Sequence, residues 1–173
     1  MKIYHDWIMT YTGRKFDPLN PDEKEINITD IAHALSLKCR FTGHCKEFYS
    51  VAQHSVLVSE ASIHPLEGLM HDASEAYLPD VTRPVKYRLN GFKEIEDNLL
   101  KVIFKKYNLI YPISKEIKTI DSRLCLSEGR DLMPDISEWK LLGSYEPLEI
   151  DISGWSPKVS KLRFLNRFRE LQP

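Results

Sequence analysis

His71-Asp72-Ala73-Ser74-Glu75 is the stretch on which the reading of this chain turns. A Glu four residues after a His and three after an Asp puts all three ligating or proton-transferring groups on one helical face. Upstream, Phe48 to Ser62 carries Val51, Val56 and Val58 in a helical frame. Pro65 ends that helix and suits the first turn of the next, whose apolar side holds Leu66, Leu69, Met70 and Ala73. The turn near Ile63-His64-Pro65 therefore joins two antiparallel helices. At about 1.5 Å per residue, His54 lies about 14 Å from that turn and His71 about 11 Å, so the two imidazoles reach nearly the same level. His44 precedes the helix and lacks this constraint, which makes His54 the preferred partner of His71.

A fourth group comes from the segment marked by Ile113, Ile117, Ile120 and Leu124, a further helix on which Asp121 sits at the apolar boundary. A carboxylate there is costly to desolvate unless it is paired or bound to a cation, which favours Asp121 over Asp131 and Asp151. A salt bridge to Arg123 is the competing use. His54, His71, Asp72 and Asp121 together offer two imidazoles and two carboxylates, a ligand set for one divalent transition ion with positions left for water and substrate. Zinc, cobalt and manganese all suit such a set. Glu75 is then a spare carboxylate beside a metal, which reads as hydrolysis.

The remaining pattern is mostly helical. Residues 2 to 17 are strand-like around the Thr12-Gly13 turn, giving a short N-terminal β-hairpin. Thr29 or Asp30 can cap a helix running through Ile31, Ala34 and Leu35. Phe92, Ile95, Leu99, Val102 and Ile103 recur at steps of three and four, with Asp97 and Lys101 pairing on the wet side. Residues 133 to 155 form an irregular connector with a strand candidate at Leu148–Ile152, and Ser156-Pro157 opens a last helix. The expected fold is a mostly α single domain over 1–173, a helical bundle with one small hairpin.

At 173 residues, 42% hydrophobic and 28% charged, the chain suits one ordinary globular domain. A formal net charge of −1 gives no global field for nucleic acid or an anionic membrane. Lys161, Arg163, Arg167 and Arg169 on the last helix read as a solvated face, and Trp7, Trp139 and Trp155 as core or interface residues rather than base-stacking platforms. No apolar run approaches the ~20 residues that span a bilayer. Three cysteines without a CxxC pair favour a reducing compartment. The expected location is cytoplasmic, the host cytoplasm were the chain viral.

Arg40-Phe41, Tyr49-Ser50-Val51-Ala52-Gln53-His54-Ser55, His71-Asp72-Ala73-Ser74-Glu75, Asp80 and Pro84-Val85-Lys86-Tyr87 follow one another in an order that resembles the HD-domain phosphohydrolases. The similarity covers roughly residues 30 to 132. It is narrower toward the 5'-deoxynucleotidase branch and the related viral dATP triphosphohydrolases. The resemblance implies an HD-type bundle and cleavage of the 5' phosphate of a deoxynucleotide, as a monophosphatase or as a triphosphohydrolase releasing triphosphate. It implies that Arg40 contacts phosphate, that Glu75 assists proton transfer, and that Phe41 and Asp80 recognise the sugar. Lys86 offers either a second phosphate contact or an ordinary solvated lysine, with Arg83 ranked behind it. Homo-oligomers are common in that family. A non-catalytic nucleotide-binding module is the alternative, against which the presence of Glu75 argues.

Overall fold

The structure is a computed structural model that describes residues 6–139 and 143–172. It is mostly helical, with one small antiparallel hairpin near the N-terminus. Strands β1 (Ile8–Met9) and β2 (Lys15–Phe16) pair Ile8 with Phe16 and Met9 with Lys15. Residues 2–5 of the expected strand region lie outside the described residues. The Thr12-Gly13 turn is anchored by α1 (Ile28–Leu37), because Thr12 donates its N–H and hydroxyl to the buried Asp30 carboxylate at 2.7 and 2.8 Å. Asp30 is therefore a tertiary anchor. Asn27 caps α1 instead, its side chain accepting from Thr29 N.

Helix α2 (Val51–Ala61) runs through the centre and packs on α1, on α3 (Pro65–Met70), on α6 (Lys115–Leu132) and on α7 (Pro157–Leu171). It is buried nearly all round from Val51 to Ser59. Its sequence pattern looks weakly amphipathic because its polar residues face protein partners, not water. Gln53 bonds to Ser153 O and Trp155 N, Ser55 to Val51 O, and Ser59 takes Arg167 from α7. Such pairing is what makes burial of these groups affordable.

Two apolar clusters flank α2. One gathers Ile31, Leu35, Val56, Leu69, Met70 and residues of α5 (Phe92–Lys106), where Leu99, Leu100, Ile103 and Phe104 point inward. The other holds Tyr49, Val58 and the Ile117, Ile120, Leu124 and Leu132 face of α6. Ser50, Ser114 and Ser156 each cap a helix by accepting an N–H three residues on.

Several expectations need correction. The helix after Pro65 ends at Met70 and is followed by a 3₁₀ turn over Ala73–Ala76, so His71 and Asp72 sit at a helix exit. The break is at Asp72, whose φ of −102° and ψ of 14° leave the α path. A short helix α4 (Arg83–Lys86) appears where none was expected. Leu148–Ile152 forms no strand; its Ile150 N–H bonds back to Leu148 O in an irregular segment. Asp97 pairs with Lys93 rather than Lys101. Of the basic residues of α7, Arg163 and Arg169 are exposed as expected of a solvated face, yet three of the set also pack on protein groups. Lys161 lies over the Tyr11 ring, Arg163 over the Trp155 ring, and Arg167 on Ser59.

The α2–α3 crossing is close because Gly68 faces it. A Cβ added there would stand 3.0 Å from Ser59 Cα and 3.1 Å from Ser59 N, backbone atoms that cannot swing aside. Gly68→Ala should therefore cost roughly 1–3 kcal/mol of stability through overpacking. Chemical denaturation measures it, and an unchanged midpoint would mean that the crossing tolerates an extra methyl.

Candidate metal centre

The close crossing brings two imidazoles edge to edge, one on α2 and one just past the end of α3, their planes tilted by 55°. His54 Nε2 and His71 Nε2 are 3.2 Å apart, and both side chains are buried. Asp72 Oδ2 lies 3.3 Å from His71 Nε2 and 3.7 Å from His54 Nε2. Asp121 Oδ1 approaches from α6 to 3.1 Å from His54 Nε2. Arg123, the alternative partner of Asp121, donates instead to the Glu146 carbonyl. His44 is exposed and lies outside the cluster.

His54, His71 and Asp72 form a group that can hold a metal ion. Two donors at about 2.0–2.1 Å from a common ion in tetrahedral arrangement stand about 3.3 Å apart, and these separations are of that size. Each imidazole also has its other nitrogen on an acceptor. His71 Nδ1 lies 2.7 Å from Gly68 O, and His54 Nδ1 lies 2.6 Å from Glu128 Oε1. Protons held on both Nδ1 atoms leave both Nε2 lone pairs aimed at the same point.

Glu128 was not picked out from the sequence. It is fully buried on α6 and receives Tyr49 Oη at 2.7 Å, Arg40 Nε at 3.1 Å and Arg40 Nη2 at 2.9 Å. Its signal was its place seven residues after Asp121, two turns along the same face, between Leu124 and Leu132. Lys38 was missed as well. Its ammonium donates to the carbonyls of Glu75 and Leu78, clamping the 3₁₀ turn that carries Glu75.

The centre opens into a cavity of about 890 Å³ lined by Arg40, Phe41, Asp72, Glu75, Asp80, Arg83, Lys86, Asp121 and Trp139, among others. Asp80 is exposed on its wall. Lys86 also lines it, but its ammonium is ion-paired to Glu96 at 2.6 Å, so it is neither free nor simply solvated. Phe41 has φ of 52° and meets Trp139 with ring centroids 5.7 Å apart. Trp139 is partly buried and also lines the cavity. It seats on Gly129, where a Cβ would come within 2.8 Å of its Cζ3.

Charge in the site is strongly coupled. Burial pushes Glu75 up to about 8, aided by the negative charges of Asp72 and Asp80. Burial alone would lower His71, but Asp72 and Asp121 outweigh it and raise the imidazole to about 9. Asp72 falls well below the usual carboxylate range: His71, His54 and Arg40 overcome the opposing effect of burial. Burial likewise opposes ionisation of Glu128, and Arg40 and His54 override it.

An ion binding through His71 Nε2 must therefore displace a proton from an imidazole that is charged below about pH 9. Because His54 is raised as well, zinc affinity should rise with pH through the neutral range by at least about tenfold per unit, with release of about one to two protons per ion, and should level off above the His71 pKa. Calorimetric titration in buffers of different ionisation enthalpy reads both quantities. Affinity independent of pH, with no proton released, would contradict this assignment of His71.

No protein-family model matches the chain. It is similar to the uncharacterized protein YfdR of Escherichia coli (strain K12), with 39% identity over 171 residues and 95% of each chain covered. It is also similar to the uncharacterized protein RCAP_rcc00048 of Rhodobacter capsulatus, with 36% identity over 132 residues and 67% of each chain covered. Neither name states an activity. Identity at that level over nearly the whole of both chains leaves one conclusion: the protein belongs to the family of Escherichia coli YfdR.

Proposed function

We propose that the protein is a metal-dependent phosphohydrolase that cleaves the 5' phosphate ester of deoxynucleotides, as its resemblance to the HD-domain enzymes implies. The observation that carries this reading is that Asp72, the exposed edge of the His54–His71–Asp72 cluster, lines one nucleotide-sized cavity together with Asp121, Arg40 and Glu75. Asp121, adjoining His54, is the fourth ligand in this reading. When bound, a single divalent ion (zinc, cobalt or manganese) supplies Lewis-acid polarisation of the phosphoryl group and acidifies water.

The chain's own residues supply the rest. Arg40 Nη1, the nitrogen not held by Glu128, lies 3.8 Å from Asp72 on the cavity side and meets phosphate oxygens. Glu75, whose carboxyl is raised to about 8 by burial, is the group that hands a proton to the departing 5' oxygen. Phe41 and Trp139 offer adjoining aromatic faces to base and sugar, with Asp80 across the cavity for a sugar hydroxyl. Lys86 is a secondary phosphate contact through the edge that its bond to Glu96 leaves open.

A dATP-type triphosphohydrolase would use the same centre, and the presence of Arg83 beside Lys86 on the wall favours it as the second reading. Incubation of the zinc-, cobalt- or manganese-loaded protein with dNMPs and dNTPs, followed by separation of products, tests both. Phosphate supports the first reading, triphosphate the second, and no product from any nucleotide leaves a binding module. In the active assay Glu75→Gln should lower turnover about 10²–10⁴-fold with metal content unchanged. Full activity in that variant would remove Glu75 from the proton transfer.

Trp139→Ala should raise KM for the nucleotide roughly 5- to 100-fold, the loss of one stacked base. The KM for p-nitrophenyl phosphate, which has no base to stack, should change much less. An equal change in both would assign Trp139 a purely structural part.

A further inference from the structure

Glu128 has no solvent contact, yet four side-chain bonds converge on its two oxygens. A plain structural explanation is an ion pair that ties α6 to the segment before α2. Two features go beyond it. Both ionisable partners of Glu128 are bifunctional: each gives one end to Glu128 and turns the other end toward the cluster. His54 gives Nδ1 and presents Nε2 to His71, Asp72 and Asp121. Arg40 gives Nε and Nη2 and presents Nη1 toward Asp72. The neutral partner, Tyr49, gives only its hydroxyl and lies in the other apolar cluster.

We propose that Glu128 is the positioning residue that couples the metal subsite to the phosphate subsite, fixing the His54 proton on Nδ1 and confining Arg40 to an approach through Nη1. The carboxylate oxygen 2.6 Å from His54 Nδ1 can only accept, so the proton stays on that nitrogen and Nε2 remains a ligand. The other oxygen accepts from Nε and Nη2 along one edge of the guanidinium and so orients Nη1 toward Asp72. The metal half of this inference rests on the donor cluster alone. The phosphate half rests on the phosphohydrolase reading.

Glu128→Gln in the full chain tests it, because a glutamine can turn its NH₂ toward His54 and release the tautomer while keeping the shape. Tyr49→Phe is the control, since it removes a bond to Glu128 without touching His54 or Arg40. Cobalt affinity, read from visible absorption at fixed pH, should fall about 10- to 100-fold in Glu128→Gln and much less in Tyr49→Phe. Binding of inorganic phosphate to the zinc-saturated protein should weaken in the same variant, as Arg40 loses its tether. Long-range ¹H–¹⁵N spectra of the zinc-loaded wild type should show His54 protonated on Nδ1 and ligating through Nε2, a measurement that stands even if the variant fails to fold.

The inference is overturned if Glu128→Gln binds cobalt and phosphate as the wild type does, if Tyr49→Phe loses as much affinity, or if His54 ligates through Nδ1. Wild-type protein that takes up metal but no phosphate would sink the phosphohydrolase reading and the Arg40 half, leaving the His54 half. Wild type that takes up no metal would end both.

Discussion

Two imidazole nitrogens 3.2 Å apart in a buried site impose the condition that the surrounding structure answers. Glu128 and the Gly68 carbonyl hold the opposite edges of the rings, so the inner edges turn lone pair toward lone pair. Such an arrangement is repulsive in a medium of low polarity unless a positive charge joins it. Asp72 and Asp121 deepen the negative potential at the same place. Protons on the histidines satisfy the condition in the protein alone, which is why His71 is raised so far. A divalent ion satisfies it with one charge centre instead.

The same network carries part of the fold. Helix α2 could not be buried on nearly all sides if its polar residues lacked partners, and those of Gln53, Ser59 and His54 each come from a different part of the chain. Gln53 fixes the connector before α7, Ser59 fixes α7 itself, and His54 fixes α6 through Glu128. Removing any one leaves a buried donor or acceptor unmatched, a loss of about 1–3 kcal/mol for a neutral group. Stability and site geometry therefore draw on the same hydrogen bonds around α2.

What the sequence made legible follows from where the information lies. Helices α5, α6 and α7 and the hairpin announce themselves through local periodicity, serine caps and the Thr12-Gly13 turn, all properties of neighbouring residues. The meeting of His54 and His71 was within reach because the two share one helical hairpin and can be counted from its turn. Glu128 and Lys38 were not, because their partners lie 74 and 37 residues away, separations at which no periodic pattern speaks. The helix expected through Glu75 failed for a related reason. Apolar spacing at Leu66, Leu69, Met70 and Ala73 fits either an α-helix or an α-helix followed by a 3₁₀ turn, and the Lys38 clamp on the carbonyls of Glu75 and Leu78 favours the tighter turn.

Arg40 to Gly43 shows how the cavity wall gains its rigidity. Phe41 and Thr42 both have positive φ, at 52° and 54°, a conformation that costs of order 1–3 kcal/mol for each side chain that bears it. The segment is held at both ends. Arg40 N bonds to Tyr49 O at 2.8 Å and its guanidinium to Glu128, while His44 N returns to Phe41 O at 3.0 Å. Cys39 and Ser50 bridge the base of the loop, and the Cys45 thiol meets Arg40 O. These bonds force the chain to double back immediately after Arg40, which throws the Phe41 ring toward Trp139 and leaves the guanidinium beneath it, 5.3 Å from the ring centroid. A relaxed extended loop would separate the two side chains by the alternation of a strand. The backbone strain is thus what lets one dipeptide present a cation to the His54–His71–Asp72 cluster and an aromatic face to the cavity at once.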